Sequence, residues 1–440
     1  MRRFHLQPGA ALRGRVSVPG DKSVSHRAIM LSAIASGRSR ITGFLESADC
    51  LATLHAFEAM GVTFVRDGEA LEVDGVGRDG LHAPDGPLDL GNSGTSMRLM
   101  SGLMAGQRFD SRLVGDASLS RRPMARVIEP LTRMGARIEG QEGGRAPLII
   151  QGGQPLKGID YTPPVASAQI KSCVLLAGLY ADGVTRVTEP GVSRDHTERM
   201  LSAFGVIIER EARTLSIVGG QALQAADVAV PADLSSAAFF IVGATIAESS
   251  AIVLPGVGIN PTRRGVLDIL KRMGADIRLH DERIQAGEPV ADIEVRSASL
   301  KGVDIGGDEV ELAIDEFPAI FIAAACAEGT TRLTGAAELR VKESDRIAVM
   351  ADGLSRLGVD VNVADDGLTI VGNATGPAFG GARIESHDDH RIAMAFAMAA
   401  LRASAPIEID DCDFVDTSFP GFVALAAEAG LQIRASEVSE

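Results

Sequence analysis

The chain has 440 residues, of which 45% are hydrophobic, and its formal net charge is −15 at pH 7. This length predicts two or more domains with sizeable cores. The negative charge argues against nucleic acid or an anionic membrane as a partner, and no apolar run approaches the ~18 residues typical of a membrane span.

The N-terminal segment and the cysteines indicate the compartment. The segment MRRFHLQPGAALRGR lacks the apolar run of a secretory signal. Cys50, Cys173, Cys326 and Cys412 lie far apart and form no C-x-x-C pair. Reduced, mostly buried thiols are therefore expected, and the protein is predicted to be cytoplasmic.

A unit of about 70 residues recurs six times along the chain. Its most regular phrase, a helix end followed by a strand, occurs as EAMGVTFV, TRMGARIE, SAFGVIIE, KRMGADIR, SRLGVDVN and AEAGLQIR. The glycine of each phrase is placed to end the helix in the left-handed conformation. The alternating residues after it predict a strand.

Each unit is predicted to contain, in order, a strand, a buried helix, a strand, an amphipathic helix and two strands. Ala-rich helices such as AIFIAAACA have no polar face and are predicted to be buried, whereas DILKRM is amphipathic. The sixth unit lacks its last strand, which the N-terminal RRFHLQ could supply. The expected fold is α/β, with six βαβαββ repeats, three in each of two domains.

The chain is predicted to cross between these domains twice. The crossings lie near residues 14–19 and 228–236, where VSVPGDKSVSHRA and VAVPADLSSAAFF resemble each other. One domain is then 15–228, and the other is discontinuous, with 1–14 and 229–440. The second copy lacks the cations of the first, so Lys22 and Arg27 are additions to the fold pattern.

Polar residues gather at the starts of the predicted buried helices, in GDKSVSHR, GNSGTSMR, ASAQIKS, IDEFP and SHDDHR. N-capping is the favoured interpretation for the hydroxyls taken singly, at ~1 kcal/mol each. It does not explain Lys22, Arg27, Arg98 and Arg391, since cations oppose the helix dipole at that end. Cations there are expected if an anion binds between them.

Two loops add further charge, and each alone could be a solvated helix start. They are GDASLSRRPMAR and AELRVKESDR. Together with the helix starts they predict a site for two anionic groups, because arginine forks suit carboxylate and phosphate. The charged residues of these loops are Arg121, Arg122, Arg340, Lys342, Glu343 and Arg346.

Several common sites have no signature in the chain. There is no G-x-x-x-x-G-K-[ST] loop and no G-x-G-x-x-G fingerprint. His387 and His390 form an H-x-x-H pair without an evident companion ligand, so no metal is predicted. No cofactor is predicted either.

The segments PGDKSVSHRA, LGNSGTSMR, GDASLSRRPM, SAQIKS, RVKESDR and DHRIAM resemble, in order, the signature segments of the EPSP synthase (5-enolpyruvylshikimate-3-phosphate synthase) family. GDASL-x-x-RPM, IDE-[FY]-P and TSFP resemble its second class. The resemblance implies a two-domain inverted α/β barrel closing over its substrates. It also implies transfer of the enolpyruvyl group of phosphoenolpyruvate to shikimate 3-phosphate, on the route to chorismate and the aromatic amino acids.

The resemblance also implies residue roles. Asp315 would be the base for the attacking hydroxyl, and Glu343 would donate a proton to the methylene carbon, with help from Lys22. Shikimate 3-phosphate would contact Lys22, Ser23, Arg27, Ser167, Ala168, Gln169, Arg194, Asp315 and Lys342. Phosphoenolpyruvate would contact Lys22, Gly94, Arg122, Gln169, Arg346 and Arg391.

Two positions bear on class and inhibition. Thr417 stands where first-class members have a lysine, which suits the second class. Family members that resist the inhibitor glyphosate often carry alanine at the position of Gly94, so the glycine here leaves space for the inhibitor. Because of Leu99, the sequence does not decide whether the protein is sensitive to it. A monomer is expected, because a cleft that closes by domain rotation needs no second copy.

Two alternatives remain open at this stage. The sister enolpyruvyl transferase acting on UDP-N-acetylglucosamine shares the fold but uses a loop cysteine or aspartate as acid, and no cysteine here lies in such a loop. A non-catalytic anion-binding protein would need the cations but not Asp315 and Glu343. Substrate-dependent phosphate release separates catalysis from binding alone.

Overall fold

The computed structural model describes residues 2–437, which form two compact units. The first unit contains Gly20–Pro231 and Ile284–Glu288. The second contains the described residues up to Pro19, Ala232–Arg283 and the described residues from Pro289 onwards.

Strands and helices alternate along the described chain in the order that the repeats predict. The strands are β1 (Arg2–Leu6), β2 (Arg13–Arg15), β3 (Ala35–Thr42), β4 (Thr63–Asp67), β5 (Ala70–Val76), β6 (Leu88–Asp89), β7 (Ser111–Val114), β8 (Arg137–Gln141), β9 (Arg145–Gln151), β10 (Asp160–Tyr161), β11 (Val184–Thr188), β12 (Ile208–Glu211), β13 (Thr214–Val218), β14 (Leu223–Gln224), β15 (Val228–Ala229), β16 (Ala251–Gly258), β17 (Asp276–Gln285), β18 (Glu288–Arg296), β19 (Asp304–Ile305), β20 (Gly329–Leu333), β21 (Asp360–Ala364), β22 (Gly367–Gly372), β23 (Arg383–Glu385), β24 (Ile407–Asp410) and β25 (Ile433–Glu437). The α-helices are α1 (Lys22–Ala33), α2 (Ala48–Glu58), α3 (Gly94–Ala105), α4 (Ala117–Arg121), α5 (Ala125–Arg133), α6 (Ala168–Gly178), α7 (His196–Ala203), α8 (Leu234–Ile246), α9 (Gly265–Met273), α10 (Asp308–Leu312), α11 (Phe317–Ala325), α12 (Arg346–Arg356), α13 (His390–Ala399) and α14 (Phe422–Ala429). Short 3-10 helices span Ala337–Val341, Ala400–Arg402 and Cys412–Thr417.

The sheets of the first unit follow its three repeats. Their strand orders are β14-β3-β5-β4, β6-β7-β9-β8 and β10-β11-β13-β12. In the second sheet β6 is parallel to β7, and β9 is antiparallel to both β7 and β8. The third sheet has the same pattern. In the first sheet, the strands parallel to β3 are β14 and β15, from the end of the unit.

The second unit repeats this arrangement with strand orders β17-β18-β16-β2, β19-β20-β22-β21 and β23-β24-β1-β25. Strand β1 is antiparallel to both β24 and β25, so Phe4 lies opposite Ile409 on one side and Ala435 on the other. The prediction that the N-terminal segment supplies the strand missing from the sixth repeat is confirmed.

A glycine follows a helix in each repeat, as predicted. Its φ lies between 83° and 117° at all six positions, a region that favours glycine because it has no Cβ. The chain can therefore leave the helix sharply and enter the next strand. These glycines are Gly61, Gly135, Gly205, Gly274, Gly358 and Gly430.

The Ala-rich helices form the centre of each unit. In the first unit α3 packs against α1 and α6, and in the second α8, α11 and α13 pack against one another. Every residue of α8 is buried, whereas α9 buries one face and exposes Asp268 and Lys271 on the other. The predicted division into buried and amphipathic helices is correct at these elements. All four cysteines are free and buried.

Both predicted domain boundaries are displaced by a few residues. The boundaries predicted after residues 14 and 228 lie after Pro19 and Pro231. Strand β2 pairs with β16, and Val16 N donates to Val253 O, so the chain through Pro19 stays with the second unit. Strand β15 pairs with β3, which holds the chain through Pro231 in the first unit.

The segment Ile284–Glu288 belongs to the first unit, although its sequence position predicts the other domain. Glu288 Oε1 lies 2.8 Å from His196 Nδ1, and both side chains are buried. Gln285 Nε2 donates to Ala229 O at 3.2 Å. The segment joins β17 to β18, and no repeat in the sequence indicates these contacts.

Candidate active site

Lys22 begins α1, whose N-cap is Asp21 rather than a hydroxyl. Asp21 Oδ1 accepts from Val24 N at 2.9 Å, which satisfies one of the free N–H groups of the first turn. Ser23 lies inside that turn. Lys22 Nζ lies 3.1 Å from Asp49 Oδ2 of α2, so the carboxylate helps to hold the ammonium at the start of the helix.

Arg27 lies one turn further along α1 and is 3% exposed. Its Nε donates to Thr197 Oγ1 at 2.6 Å, its Nη2 donates to Ser172 Oγ at 3.0 Å, and its Nη1 donates to its own helix. Burial lowers the pKa of Arg27 to about 10, while Glu198 opposes this shift. The guanidinium therefore stays a cation near neutral pH, in a fixed orientation.

A buried histidine joins α1 to its neighbouring helices. His26 Nδ1 lies 2.8 Å from Thr53 Oγ1 and 3.3 Å from Ser96 Oγ, and Thr53 Oγ1 lies 2.6 Å from Ser96 Oγ. Burial, followed by the nearby Lys22 and Arg27, lowers the pKa of His26 to about 3. A neutral imidazole thus holds the start of α1 next to the start of α3.

The first turns of α3 and α6 are connected through Gln169. Arg98 Nη1 donates to Gln169 Oε1 at 2.7 Å, and Gln169 Nε2 donates to Thr95 Oγ1 at 3.0 Å. Both ends of the amide are used, so its orientation is defined by a cation on one side and a hydroxyl on the other.

Gly94 lies directly beside two arginines. A Cβ at this position would lie 3.0 Å from Arg98 Nη1 and 3.3 Å from Arg122 Nη1. Arg122 Nη2 donates to Asn92 Oδ1 at 2.9 Å, which holds the guanidinium beside the start of α3. Gly94 therefore lies beside Arg122 and beside Arg98, which in turn donates to Gln169, so three residues assigned to phosphoenolpyruvate lie close together.

Ser167 is the N-cap of α6, so the capping interpretation is correct at this hydroxyl. Ala168 is the first residue of the helix, and Gln169 follows it. Arg194 lies three residues before Thr197, which accepts from Arg27 Nε, and its charge adds to the lowering of the pKa of Arg27. The first unit therefore brings the predicted cations of α1 and of the loop before α7 to one region.

Arg346 is the centre of the predicted site residues in the second unit, and its side chain is 1% exposed. Its Nε donates to Asp389 Oδ2 at 2.8 Å, its Nη2 to Glu343 Oε2 at 2.7 Å and its Nη1 to Asp315 Oδ1 at 3.4 Å. Burial opposes the charge, but the three carboxylates together raise the pKa of Arg346 above its ordinary value. The same contact holds the pKa of Asp389 low, against the effect of burial.

Lys342 and Arg391 complete this cluster around Asp315. Lys342 Nζ lies 3.5 Å from Asp315 Oδ1, and Arg391 Nη1 donates to the Asp315 backbone oxygen at 3.0 Å. Arg391 Nη1 also lies 3.7 Å from Glu316 Oε1, which is fully buried. All five predicted residues of this unit are therefore in one cluster.

The arrangement suits acid–base chemistry on an anionic substrate. The side chains of Asp315 and Glu343 are 18% and 29% exposed, so each is partly accessible while contacting the same guanidinium. Lys342, Arg346 and Arg391 supply positive charge around them. Two carboxylates in different surroundings can act as base and acid on different atoms.

The segment that contains the HxxH pair also caps α13. Asp389, between the two histidines, is the N-cap of α13 and accepts from Arg391 N. Among residues 2–437, no group of three or more His, Cys, Asp or Glu side chains is arranged to hold a metal. None of the helices in that range is long and apolar enough to cross a membrane.

Some residues of the cluster carried little signal in the sequence. Asp49, which contacts Lys22, lies in an unremarkable amphipathic helix. Thr197 holds Arg27 and lies three residues after Arg194, so only that proximity could have indicated it. Ser172 lies within the segment SAQIKS but has no charge to attract attention.

Comparison with known proteins agrees with this geometry. The family model described as EPSP synthase (3-phosphoshikimate 1-carboxyvinyltransferase) matches residues 6–425. Curated relatives named 3-phosphoshikimate 1-carboxyvinyltransferase include one from Alkalilimnicola ehrlichii, 65% identical over 98% of this chain and 96% of the relative, and one from Halorhodospira halophila, 60% identical over 98% and 97%. A solved EPSP synthase structure from Acinetobacter baumannii superposes with a TM-score of 0.91 at 56% identity, covering 99% of this chain and 100% of that chain. The chain, with its six βαβαββ repeats, belongs to the EPSP synthase family.

Proposed function

We propose that the chain transfers the enolpyruvyl group of phosphoenolpyruvate to the 5-hydroxyl of shikimate 3-phosphate and releases phosphate. Membership of the EPSP synthase family supports the activity. The observation that carries the mechanism is that Asp315 and Glu343 contact one buried guanidinium, Arg346, through different nitrogens. The product serves the route to chorismate and the aromatic amino acids.

The reaction is an addition followed by an elimination. Asp315 accepts the proton of the 5-hydroxyl of shikimate 3-phosphate, and the hydroxyl oxygen forms a bond to C2 of phosphoenolpyruvate. Glu343, assisted by Lys22, donates a proton to C3, which becomes a methyl group in a tetrahedral intermediate. Loss of phosphate from C2 and of a proton from C3 restores the double bond. General acid and base catalysis of this kind contributes about 10²- to 10⁴-fold each.

Shikimate 3-phosphate carries a phosphate and a carboxylate, and the residues assigned to it match these groups. Arg27 and Arg194 supply cations whose charges act on each other, and Ser23 and Ser167 supply hydroxyls. Lys22, Ala168, Gln169, Asp315 and Lys342 complete the assigned set. The arginine orientation set by Thr197 and Ser172 favours a directed hydrogen bond over a diffuse charge.

Phosphoenolpyruvate is assigned to the residues around Gly94 together with those around Arg346. Arg122, Arg346 and Arg391 neutralise its phosphate and carboxylate, and Gln169, Lys22 and the backbone at Gly94 complete the set. Glyphosate, an anion of similar size, would compete with phosphoenolpyruvate for the space beside Gly94, which Arg98 and Arg122 border.

The proposal requires no metal and no cofactor, because proton transfer and anion neutralisation come from side chains. We further propose a monomeric, cytoplasmic enzyme. Light scattering tests the first point, since a stable dimer at assay concentrations would contradict it.

Phosphate release from phosphoenolpyruvate tests the function. Wild type is assayed with shikimate 3-phosphate, without it, and with UDP-N-acetylglucosamine in its place, alongside Asp315→Asn and the matched control Asp360→Asn on the exposed face of β21. Release that requires shikimate 3-phosphate and falls at least 100-fold only in Asp315→Asn is expected. Release with the nucleotide sugar alone would identify the sister activity, and no release from folded protein would refute catalysis.

A further inference from the structure

A buried lysine lies beside the proposed substrate residues without being one of them. Lys171, on α6, is 1% exposed. Its Nζ donates to Glu189 Oε1 and to Glu198 Oε1, both at 2.8 Å, and lies 3.5 Å from Ser193 O. A buried ammonium is costly unless it is paired in this way, so its presence calls for a role.

The two carboxylates also share a second cation. Arg210 Nη2 lies 3.1 Å from Glu189 Oε2 and 3.4 Å from Glu198 Oε1. The formal charges of the four groups sum to zero, but Arg210 is half exposed, whereas Glu189 and Glu198 are buried. Solvent screens the arginine, so Lys171 is the main counter-ion of the pair.

Two of the three partners of Lys171, Ser193 and Glu198, are adjacent in sequence to a residue of the proposed site for shikimate 3-phosphate or to one that orients it. Ser193 Oγ donates to Glu189 Oε1 at 2.5 Å, and Ser193 directly precedes Arg194. Glu198 follows Thr197, which accepts from Arg27 Nε. These contacts join the loop before α7, and α7 itself, to α6.

The link to Arg27 also runs through the residue after Lys171. Ser172 Oγ lies 2.6 Å from Thr197 Oγ1, accepts from Arg27 Nη2 and donates to Ala168 O at 2.6 Å. The polar group around Arg27 and the ion pairs of Lys171 are therefore joined through the backbone, at Lys171–Ser172 on α6 and at Thr197–Glu198 on α7.

We propose that Lys171 is a positioning residue for shikimate 3-phosphate, an inference that rests on the proposed function. It holds Glu189 and Glu198 against α6, which sets the positions of Arg194 and Thr197. It also neutralises Glu198, the residue after the Thr197 that contacts Arg27, so that the charge of Arg27 is directed to the substrate anion instead of to Glu198.

Lys171→Met tests this assignment because methionine keeps the volume and removes the charge. Residues that act through others change ligand affinity by about 2- to 30-fold. We expect the Kd for shikimate 3-phosphate, measured by calorimetry, to rise about tenfold. We expect the KM for phosphoenolpyruvate at saturating shikimate 3-phosphate to stay within about threefold of wild type, since the lysine does not reach the residues around Gly94.

Two further variants distinguish positioning from general loss of structure. Lys171→Met combined with Glu198→Gln restores the charge balance, and we expect it to recover a Kd within about threefold of wild type. Lys157→Met, an exposed lysine of the same unit, is the matched control and should change nothing. Near-ultraviolet circular dichroism and Tm are recorded for each protein.

The outcomes separate the two proposals. Failure of wild type to bind shikimate 3-phosphate or release phosphate would refute the proposed function itself. If wild type binds shikimate 3-phosphate and releases phosphate, two results for Lys171→Met would overturn the role of Lys171. One is an unchanged Kd for shikimate 3-phosphate, and the other is an equal rise in this Kd and in the KM for phosphoenolpyruvate. If Lys171→Met does not fold, Glu189→Gln removes the charge of the carboxylate that accepts from both Lys171 Nζ and Ser193 Oγ, the residue before Arg194. A raised Kd there with unchanged Tm supports the inference, and an unchanged Kd overturns it.

Discussion

Gly94→Ala is the smallest change that alters the proposed phosphoenolpyruvate site without altering a charged group. The new Cβ would lie 3.0 Å from Arg98 Nη1 and 3.3 Å from Arg122 Nη1, closer than ordinary van der Waals contact. Both atoms are ends of flexible side chains, so the guanidinium groups are expected to move by a few tenths of an ångström. The backbone of α3 is expected to stay in place.

The magnitude follows from what the arginines do. A hydrogen bond to a charged group is worth about 1.5–3 kcal/mol, so weakening one such bond is expected to raise the KM for phosphoenolpyruvate by about 10- to 100-fold. Alanine forms helices better than glycine by about 1 kcal/mol, so the Tm is expected to be unchanged or slightly higher. Glyphosate inhibition should weaken by at least the same factor, because the inhibitor would use the same space.

Steady-state phosphate release with each substrate varied in turn checks this prediction. Gly86→Ala, in an exposed loop of the same unit with no atom within 4 Å of its Cβ, is the matched control. A KM for phosphoenolpyruvate that stays within about twofold of wild type would refute the reasoning about Arg98 and Arg122. A lower Tm would show instead that α3 itself shifts.

Three further predictions follow from the buried charges. Asp389→Ala removes the fully buried counter-ion of Arg346 and the cap of α13, and should lower the free energy of unfolding by about 3–5 kcal/mol in urea titrations. A loss below about 1 kcal/mol would contradict the ion-pair argument. Glu343→Gln keeps a polar contact to Arg346 but removes the proton donor, so kcat should fall about 10²- to 10⁴-fold while the Tm stays unchanged. A kcat near that of wild type would show that another residue is the acid. The pKa of His26 is lowered from 6.5 to about 3, so the unfolded chain binds more protons between these values. The contribution of His26 to the free energy of unfolding is complete above pH 6.5 and is lost as the pH falls towards 3, by at most about 5 kcal/mol. In acid titrations of His26→Asn, the free energy of unfolding should therefore change less with pH over this interval.

The sequence predicted the repeat architecture well because its signals are local. A glycine such as Gly61 must follow a helix in the left-handed region, and an Ala-rich helix such as α8 has no polar face to expose. These requirements do not depend on distant parts of the chain. The pairing of β1 with β24 and β25 was also predictable, since counting strands left one position empty.

The candidate residues were found for a related reason, but their partners were not. Lys22 and Arg391 stand out because cations are unfavourable at helix starts, and that conflict is visible in the sequence alone. Asp49 and Thr197 are ordinary residues in their own segments. Their contacts with Lys22 and Arg27 exist only because separate helices pack side by side.

The sequence by itself determined which elements form, how often they repeat and which cations are out of place, because helix ends, buried faces and capping depend on neighbours within a few residues. Only the tertiary structure decided that β2 pairs within the second unit and β15 within the first. The same holds for the three carboxylates around Arg346 and the buried contacts of Lys171. Each of these joins segments far apart in the chain, so its energy depends on distances and burial that no local pattern contains.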